Sequence, residues 1–316
     1  MTNMRKTVIL CLALLMLGSC SKVEDLLTGG VWTERAEQIT EGCMTDYEKA
    51  MAIYEWECMN ISYDLDFKIT TAQECWDQRK GVCQAYSELF VKLATHCDLE
   101  AKVISGKCRT HFHMDGEGGH AWVKVNTEKG WILVDPTWGA GYVSMDYSEF
   151  TFYDHNMSWF DAEPELMIFT HFPNNKADQF LSTTVSRDEY LELPLVEPNV
   201  AHAGWKGYEV LNYFLNHLGE SAPLFYRGFD EGLGKFELVQ MPYNGKMKVG
   251  ETYTLKIKSL AVEEGISIRS WETNHYLESW EQDGDVFTLV YMPESECELH
   301  ISLNGYGVIM KYDVTN

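Results

Sequence analysis

The hydrophobic period of this chain changes part-way along it, and that change limits the folds it can adopt. Tyr47, Met51, Tyr54, Cys58 and Ile61 recur at steps of three and four, as do Cys83, Tyr86, Phe90, Leu93 and Cys97; each set forms one apolar stripe on a helix. Beyond about residue 100 the period falls to two. Ala101–Ser105 reads as one strand, and Ala121, Val123 and Val125 alternate with Trp122 and Lys124 in the next. Helices followed by antiparallel strands predict an α+β layer fold. Local signals set the ends. Thr45-x-x-Glu48 is a capping box opening a helix over 46–60. Thr71-x-x-Glu74 opens a second helix over 72–80, with Gly81 expected as its left-handed stop, and a third helix starts near Cys83. Asn126–Gly130 reads as a hairpin loop, Trp131–Val134 as the returning strand, and Asp135-Pro136 as its end.

From about Asn199 the texture changes again. A short helix over Lys206–His217 is followed by alternating runs at Lys235–Gln240, Gly250–Lys258, Ile266–Trp271, Val286–Tyr291, Leu299–Leu303 and Val308–Val314. Turns such as Asn244-Gly245 and Asp283-Gly284 separate them, which predicts an immunoglobulin-like β-sandwich. The 316 residues suit about two domains, with the joint expected at Pro194–Pro198. Ten Trp, 17 Tyr and 14 Phe supply two cores and exclude global disorder. A formal charge of −23 argues against nucleic acid, which needs a basic stripe. No internal apolar run reaches the length of a spanning helix.

The N-terminus reads as an export signal over residues 1–19. Arg5 and Lys6 precede the apolar stretch Thr7–Leu17, and Leu17-Gly18-Ser19-Cys20 resembles the bacterial lipobox, with Cys20 as the lipidated residue. Residues 20–42 would form a tether, 43–198 the α+β domain and 199–316 the sandwich. The expected location is the bacterial cell envelope, periplasmic or outer face, held by lipid on Cys20. Of nine cysteines, Cys43, Cys58, Cys75, Cys97, Cys108 and Cys297 remain once Cys11, Cys20 and Cys83 are set aside. Sequence leaves their pairing open, and also leaves open that they are unpaired core residues.

Three segments carry chemistry: Lys80-Gly-Val-Cys83-Gln-Ala-Tyr86, Gly119-His120-Ala-Trp122 and Val134-Asp135-Pro-Thr-Trp138. A thiol nucleophile needs a lowered pKa, a base that later protonates the leaving group, and an acid that orients the base. Cys83 sits at a predicted helix N-terminus, where the helix dipole favours thiolate. The amides there can also hold an oxyanion. His120 starts one strand and Asp135 ends its hairpin partner; neighbouring strands lie about 4.8 Å apart, so the two can meet.

These segments, in this order, resemble the transglutaminase-like (papain-like) cysteine enzymes. Asn60-Ile-Ser-Tyr63-Asp64 also looks like that superfamily, and Thr170-His-Phe-Pro173 with Leu193–Pro198 resembles its kyphoscoliosis-peptidase branch. The resemblance implies a core of helices on an antiparallel sheet with the nucleophile at a helix start. It implies Cys83 as nucleophile, His120 as base then acid, and Asp135 as orienter, acting on amide bonds of proteins or peptides through a thioester. Trp138, Trp122 and Gln84 are the candidate substrate-binding residues. No cofactor and no metal are expected. Gln84-Ala85 departs from the small residue often following the Cys, and the calcium dependence of the four-domain animal enzymes does not carry over.

Two rival readings come from other classes. One is a non-catalytic binding or adhesion lipoprotein built on a retired core, which the intact Cys–His–Asp set argues against. The other is a metal-dependent hydrolase using His111, His113, Asp115 and His120, although no HExxH or paired CxxC frames those residues.

Overall fold

The computed structural model describes residues 30–110, 117–144, 146–154, 156–260, 268–272, 275–277 and 280–316. The export signal, the lipid site at Cys20 and the expected cluster of His111, His113 and Asp115 lie outside the described residues. The chain divides into two compact units: one of residues up to Gly106 with Gly119–Ala162, the other of Lys107–Gly118 with Glu163–Asn316.

The first unit opens with helices α1 (Val31–Ile39) and α2 (Asp46–Asn60). Thr45 closes the expected capping box: its side chain accepts from the Glu48 N–H while the Glu48 carboxylate accepts from the Thr45 N–H. Strand β1 (Ser62–Tyr63), helix α3 (Ala72–Gln78), strand β2 (Lys80–Gly81) and helix α4 (Cys83–His96) follow. The stripe expected on α4 is its buried face, with Tyr86, Phe90 and Leu93 removed from solvent. The Tyr86 hydroxyl donates to the Ile61 carbonyl, closing that face against the end of α2.

The stop of α3 differs from expectation. Arg79, not Gly81, takes the left-handed conformation, at φ 56° and ψ 33°. A non-glycine residue accepts this cost when its surroundings hold it there. Its guanidinium lies 4.2 Å from the Trp76 ring centroid and 4.7 Å from that of Trp56, and those two rings stack at 4.7 Å. Gly81 is needed for space instead: a Cβ there would stand 2.7 Å from the Ala85 Cβ and 3.0 Å from the Cys75 Sγ.

A sheet of order β5-β4-β3 completes the layer, from β3 (Glu100–Cys108), β4 (Gly118–Thr127) and β5 (Gly130–Val134). Strands β4 and β5 are antiparallel, from Thr127 opposite Gly130 to Val123 opposite Val134. The turn is therefore two residues, Glu128-Lys129, shorter than the loop expected, and Gly130 takes φ 98° to close it. A short helix α5 (Pro136–Ala140) leads into an antiparallel ribbon of β6 (Gly141–Val143) and β7 (Phe150–Phe152).

The second unit carries short helices at Pro164–Met167, Arg187–Glu192 and Gly207–Leu215, with β8 at His171–Pro173 and β9 at Leu224–Phe225. Two sheets follow. One has the order β10 (Phe236–Gln240), β12 (Tyr253–Ser259), β16 (Val286–Tyr291), β15 (Glu281–Asp283). The other has the order β11 (Lys246–Lys248), β18 (Gly307–Thr315), β17 (Cys297–Leu303), β13 (Ile268–Glu272), β14 (His275–Leu277). Leu255, Ile257 and Leu289 from the first share one core with Leu299, Ile301 and Tyr312 from the second, the arrangement of a β-sandwich. The division at Ala162/Glu163 falls ahead of the joint expected at Pro194–Pro198. The physical reason is burial: Phe169, Tyr190, Val196 and Val200 enter the same core as the sandwich strands. No helix of the described residues is long and apolar enough to cross a membrane.

Candidate active site

Backbone hydrogen bonds hold the approach to Cys83 from both sides. The Asp64 N–H donates to the Gly81 carbonyl and the Val82 N–H to the Ile69 carbonyl, both at 3.0 Å. Asp64 itself is buried, and its carboxylate accepts from the N–H groups of Lys68 at 2.7 Å and Ile69 at 2.9 Å, with Lys80 Nζ at 3.5 Å. Burial works to raise its pKa, but the Ile69, Lys68 and Asp66 N–H groups and Lys80 outweigh it, so the group lies below the ordinary carboxylate range. Val82 is the N-cap of α4 and offers no capping side chain. The thiol of Cys83 thus stands at the positive end of a helix of 14 residues.

His120 and Asp135 meet as their strand ends predict. His120 Nε2 lies 2.7 Å from Asp135 Oδ2, with both side chains almost wholly buried. The other Asp135 oxygen accepts from the N–H groups of Thr137 at 2.9 Å and Trp138 at 3.1 Å. One carboxylate therefore caps α5 and holds the imidazole. This explains the local sequence: Pro136 suits the first helical position, where no N–H is needed, and the next two amides fix the acid. The Asp135 N–H donates to the Trp159 carbonyl at 2.8 Å. Gly139 is required by close approach, since a Cβ there would overlap the Tyr54 hydroxyl at 2.1 Å.

The bond to Asp135 leaves Nδ1 as the ring nitrogen that can serve the Cys83 sulfur. Partial burial works to raise the Cys83 pKa. The His120 hydrogen bond and charge and the Ala121 N–H outweigh both that and the repulsion of Asp135, so the thiol lies below its ordinary value. Burial pushes Cys43, Cys58, Cys75, Cys97 and Cys297 the other way. All seven described cysteines are free thiols.

The expected substrate-binding residues separate. Trp138 is half-buried, its ring 5.2 Å from that of His120 and edge-on to Trp159 at 4.8 Å. Trp122 is buried on the His120 face of β4, ring centroids 6.0 Å apart, and forms wall rather than surface. Gln84 is half-buried and donates to Glu88 one turn along α4, at 2.9 Å. Sequence reasoning gave no role to Asp64, Trp159 or Glu57. Asp64 had a usable signal, an Asp followed by residues whose N–H groups curl onto it; the other two are set only by packing.

Residues 33–136 match the model of the Transglutaminase-like superfamily. The chain carries a transglutaminase-like domain. Kyphoscoliosis peptidase from Homo sapiens is 31% identical over 168 residues, 50% of this chain and 25% of that protein. Hillarin from Drosophila melanogaster is 22% identical over 184 residues, 52% of this chain and 22% of that protein. This chain therefore spans about a quarter or less of the length of these relatives. A solved TGase structure aligns at 19% identity over 34% of this chain and 29% of that chain, with a TM-score of 0.26.

Proposed function

We propose that this protein is a cysteine hydrolase or acyltransferase acting on amide bonds of proteins or peptides, with hydrolysis the main outcome. The observation that carries the reading is the imidazole of His120 held by a buried carboxylate that two amides fix, with a thiol at a helix start whose pKa the same imidazole lowers. The similarity to kyphoscoliosis peptidase supports the peptidase-like direction.

In this reading His120 holds the Cys83 proton, so that sulfur attacks the amide carbonyl as thiolate. The Asp135 carboxylate keeps the resulting imidazolium in place and stabilises its charge. The helix-start amides face the oxyanion of the tetrahedral intermediate. His120 then protonates the departing amine, leaving a thioester on Cys83. Water, or a second amine, resolves the thioester with His120 acting as base. Trp138 forms a wall beside the imidazole. No metal or cofactor enters these steps. We further propose that the protein works at the envelope surface, held by lipid on Cys20.

The test is a trapping experiment. Wild type and Cys83→Ala are mixed with candidate proteins, and mass spectrometry looks for an acyl adduct on Cys83 and for trimmed peptides. The expected result is adduct and trimming with wild type only; identical behaviour of the two proteins would sink the reading. Metabolic labelling with a palmitate analogue, present in wild type and lost in Cys20→Ala, checks the anchor.

A further inference from the structure

The ribbon β6–β7 has an unusual surface for a folded unit. Tyr142 and Phe152 are each 44% exposed, Tyr153 41% and Tyr147 50%. The Tyr142 and Tyr153 rings lie 5.6 Å apart, and those of Phe150 and Phe152 5.0 Å. Tyr142 stands opposite Thr151 in the ladder, so the Tyr142–Tyr153 pair lies on one face of the ribbon and the Phe150–Phe152 pair on the other. Exposed aromatic pairs on both faces of so small an element mark contact with something else. The ribbon has only two strands among the described residues, so each strand keeps an outer edge outside the ladder.

Its position ties it to the Cys83 site. It grows directly from α5, whose N-cap is Asp135 and which carries Trp138. On its return, the Tyr153 N–H donates to the Ala140 carbonyl at 3.0 Å. Strand β7 lies beside β1, and β1 pairs with β2, which leads into Cys83. The ribbon is thus anchored both to the segment holding the orienting acid and to the segment presenting the sulfur.

Its charge is one-sided. The chain has no Lys or Arg between Lys129 and Lys176. Asp146, Glu149 and Asp154 are exposed along the ribbon and its connections. Hydrogen bonds from Ser148 and Ser144 hold Asp146 at a pKa of about 2, so it stays charged throughout the working range.

We propose that β6–β7 is the docking platform for the polypeptide substrate, and that it selects extended segments in which Lys or Arg stands next to aromatic or large aliphatic side chains. Extended chain can add along a ribbon edge through its main-chain groups. The aromatic faces take apolar side chains and, through cation–π contact, basic ones. The exposed carboxylates add attraction for the same cations and repel acidic segments. The proposal rests on the amide-bond reading above and names the substrate class for that site.

The test uses the full chain and three matched fluorescent peptides: basic with Phe and Leu, acidic with Phe and Leu, and basic with Ser and Gly. Fluorescence anisotropy measures binding to Cys83→Ala, which cannot turn them over. The basic apolar peptide should bind about tenfold more tightly than either control. Adding Tyr142→Ser and Phe152→Ser, or separately Glu149→Lys and Asp154→Lys, should remove that preference. In the Cys83 protein the same changes should lower kcat/KM about tenfold, chiefly through KM. Alkylation of Cys83 by iodoacetamide should stay within about twofold, which shows that the site itself is intact. Equal binding of the three peptides, or unchanged kcat/KM in both platform variants, would overturn the proposal. Selective, platform-dependent binding with no turnover by wild type would leave the docking role standing and remove the amide-bond reading instead.

Discussion

The two sides of the start of α4 show how burial alone does not decide charge. On one side, Cys83, His120 and Asp135 are enclosed but partnered, and the thiol is pulled below its ordinary pKa. On the other, Glu57 and Cys75 are fully buried among the helices. Among the described residues neither Glu57 oxygen has a hydrogen-bond partner. Burial pushes the Glu57 carboxyl well up, and it pushes the Cys75 thiol up as well. The same enclosure favours the charged form where donors converge and the neutral form where they do not. Asp135 and Glu57 make the contrast with one functional group: two buried carboxyls, one held by two amides and an imidazole, the other by nothing polar.

The sharpest way to break this contrast is to exchange the two thiols' fates. Cys83→Ala should abolish turnover, a loss of about 10⁴-fold or more in kcat, while Cys75→Ala should keep turnover and lose only stability. Comparable kcat values for the two variants would show that the front and back of α4 do not differ as described.

Asp135→Asn keeps the shape of the acid but removes its charge and its control of the imidazole tautomer. A fall of about 10²- to 10⁴-fold in kcat is expected. Glu57→Gln, the same change on the other side, should leave kcat within about twofold, since burial already favours the neutral form of that carboxyl.

Alkylation by iodoacetamide tests the thiols without a substrate. Because the folded pKa of Cys83 is lowered, its thiolate persists as pH falls below the ordinary thiol range and is lost only below the folded value. Cys83 should therefore label at pH 6, about 10²-fold faster than Cys75 in the folded protein. Peptide mapping after a timed quench reads both rates.

The smallest effect concerns stability. Glu57 has a raised folded pKa, so the unfolded chain releases this proton first as pH rises. Glu57 thus lowers stability progressively from about pH 4.3, the unfolded value, up to its folded pKa, at about 1.4 kcal/mol per unit of separation. Glu57→Leu should remove that slope, raising the urea midpoint more at pH 8 than at pH 4.5. An equal shift at both pH values would mean that Glu57 is charged in the folded protein.

Much was legible from local pattern. The Thr45 and Thr71 caps, the helices behind them, the Cys83 helix and the β4–β5 hairpin all rest on contacts between residues close in the chain, which spacing reports directly. So does the pairing of His120 with Asp135, because a hairpin brings two strand ends together whatever surrounds it. The tertiary structure decided what depends on distant partners. Arg79 takes the left-handed position because Trp56 and Trp76 hold it. Residues 163–198 join the sandwich because its core accepts their side chains. Burial drives the Glu57 carboxyl toward its neutral form because neither oxygen has a hydrogen-bond partner among the described residues, and the β6–β7 aromatics stay exposed because nothing in their unit covers them. Order along the chain settles which groups share a face; only the completed packing settles which of those groups are dry, and dryness with or without a partner sets their charge.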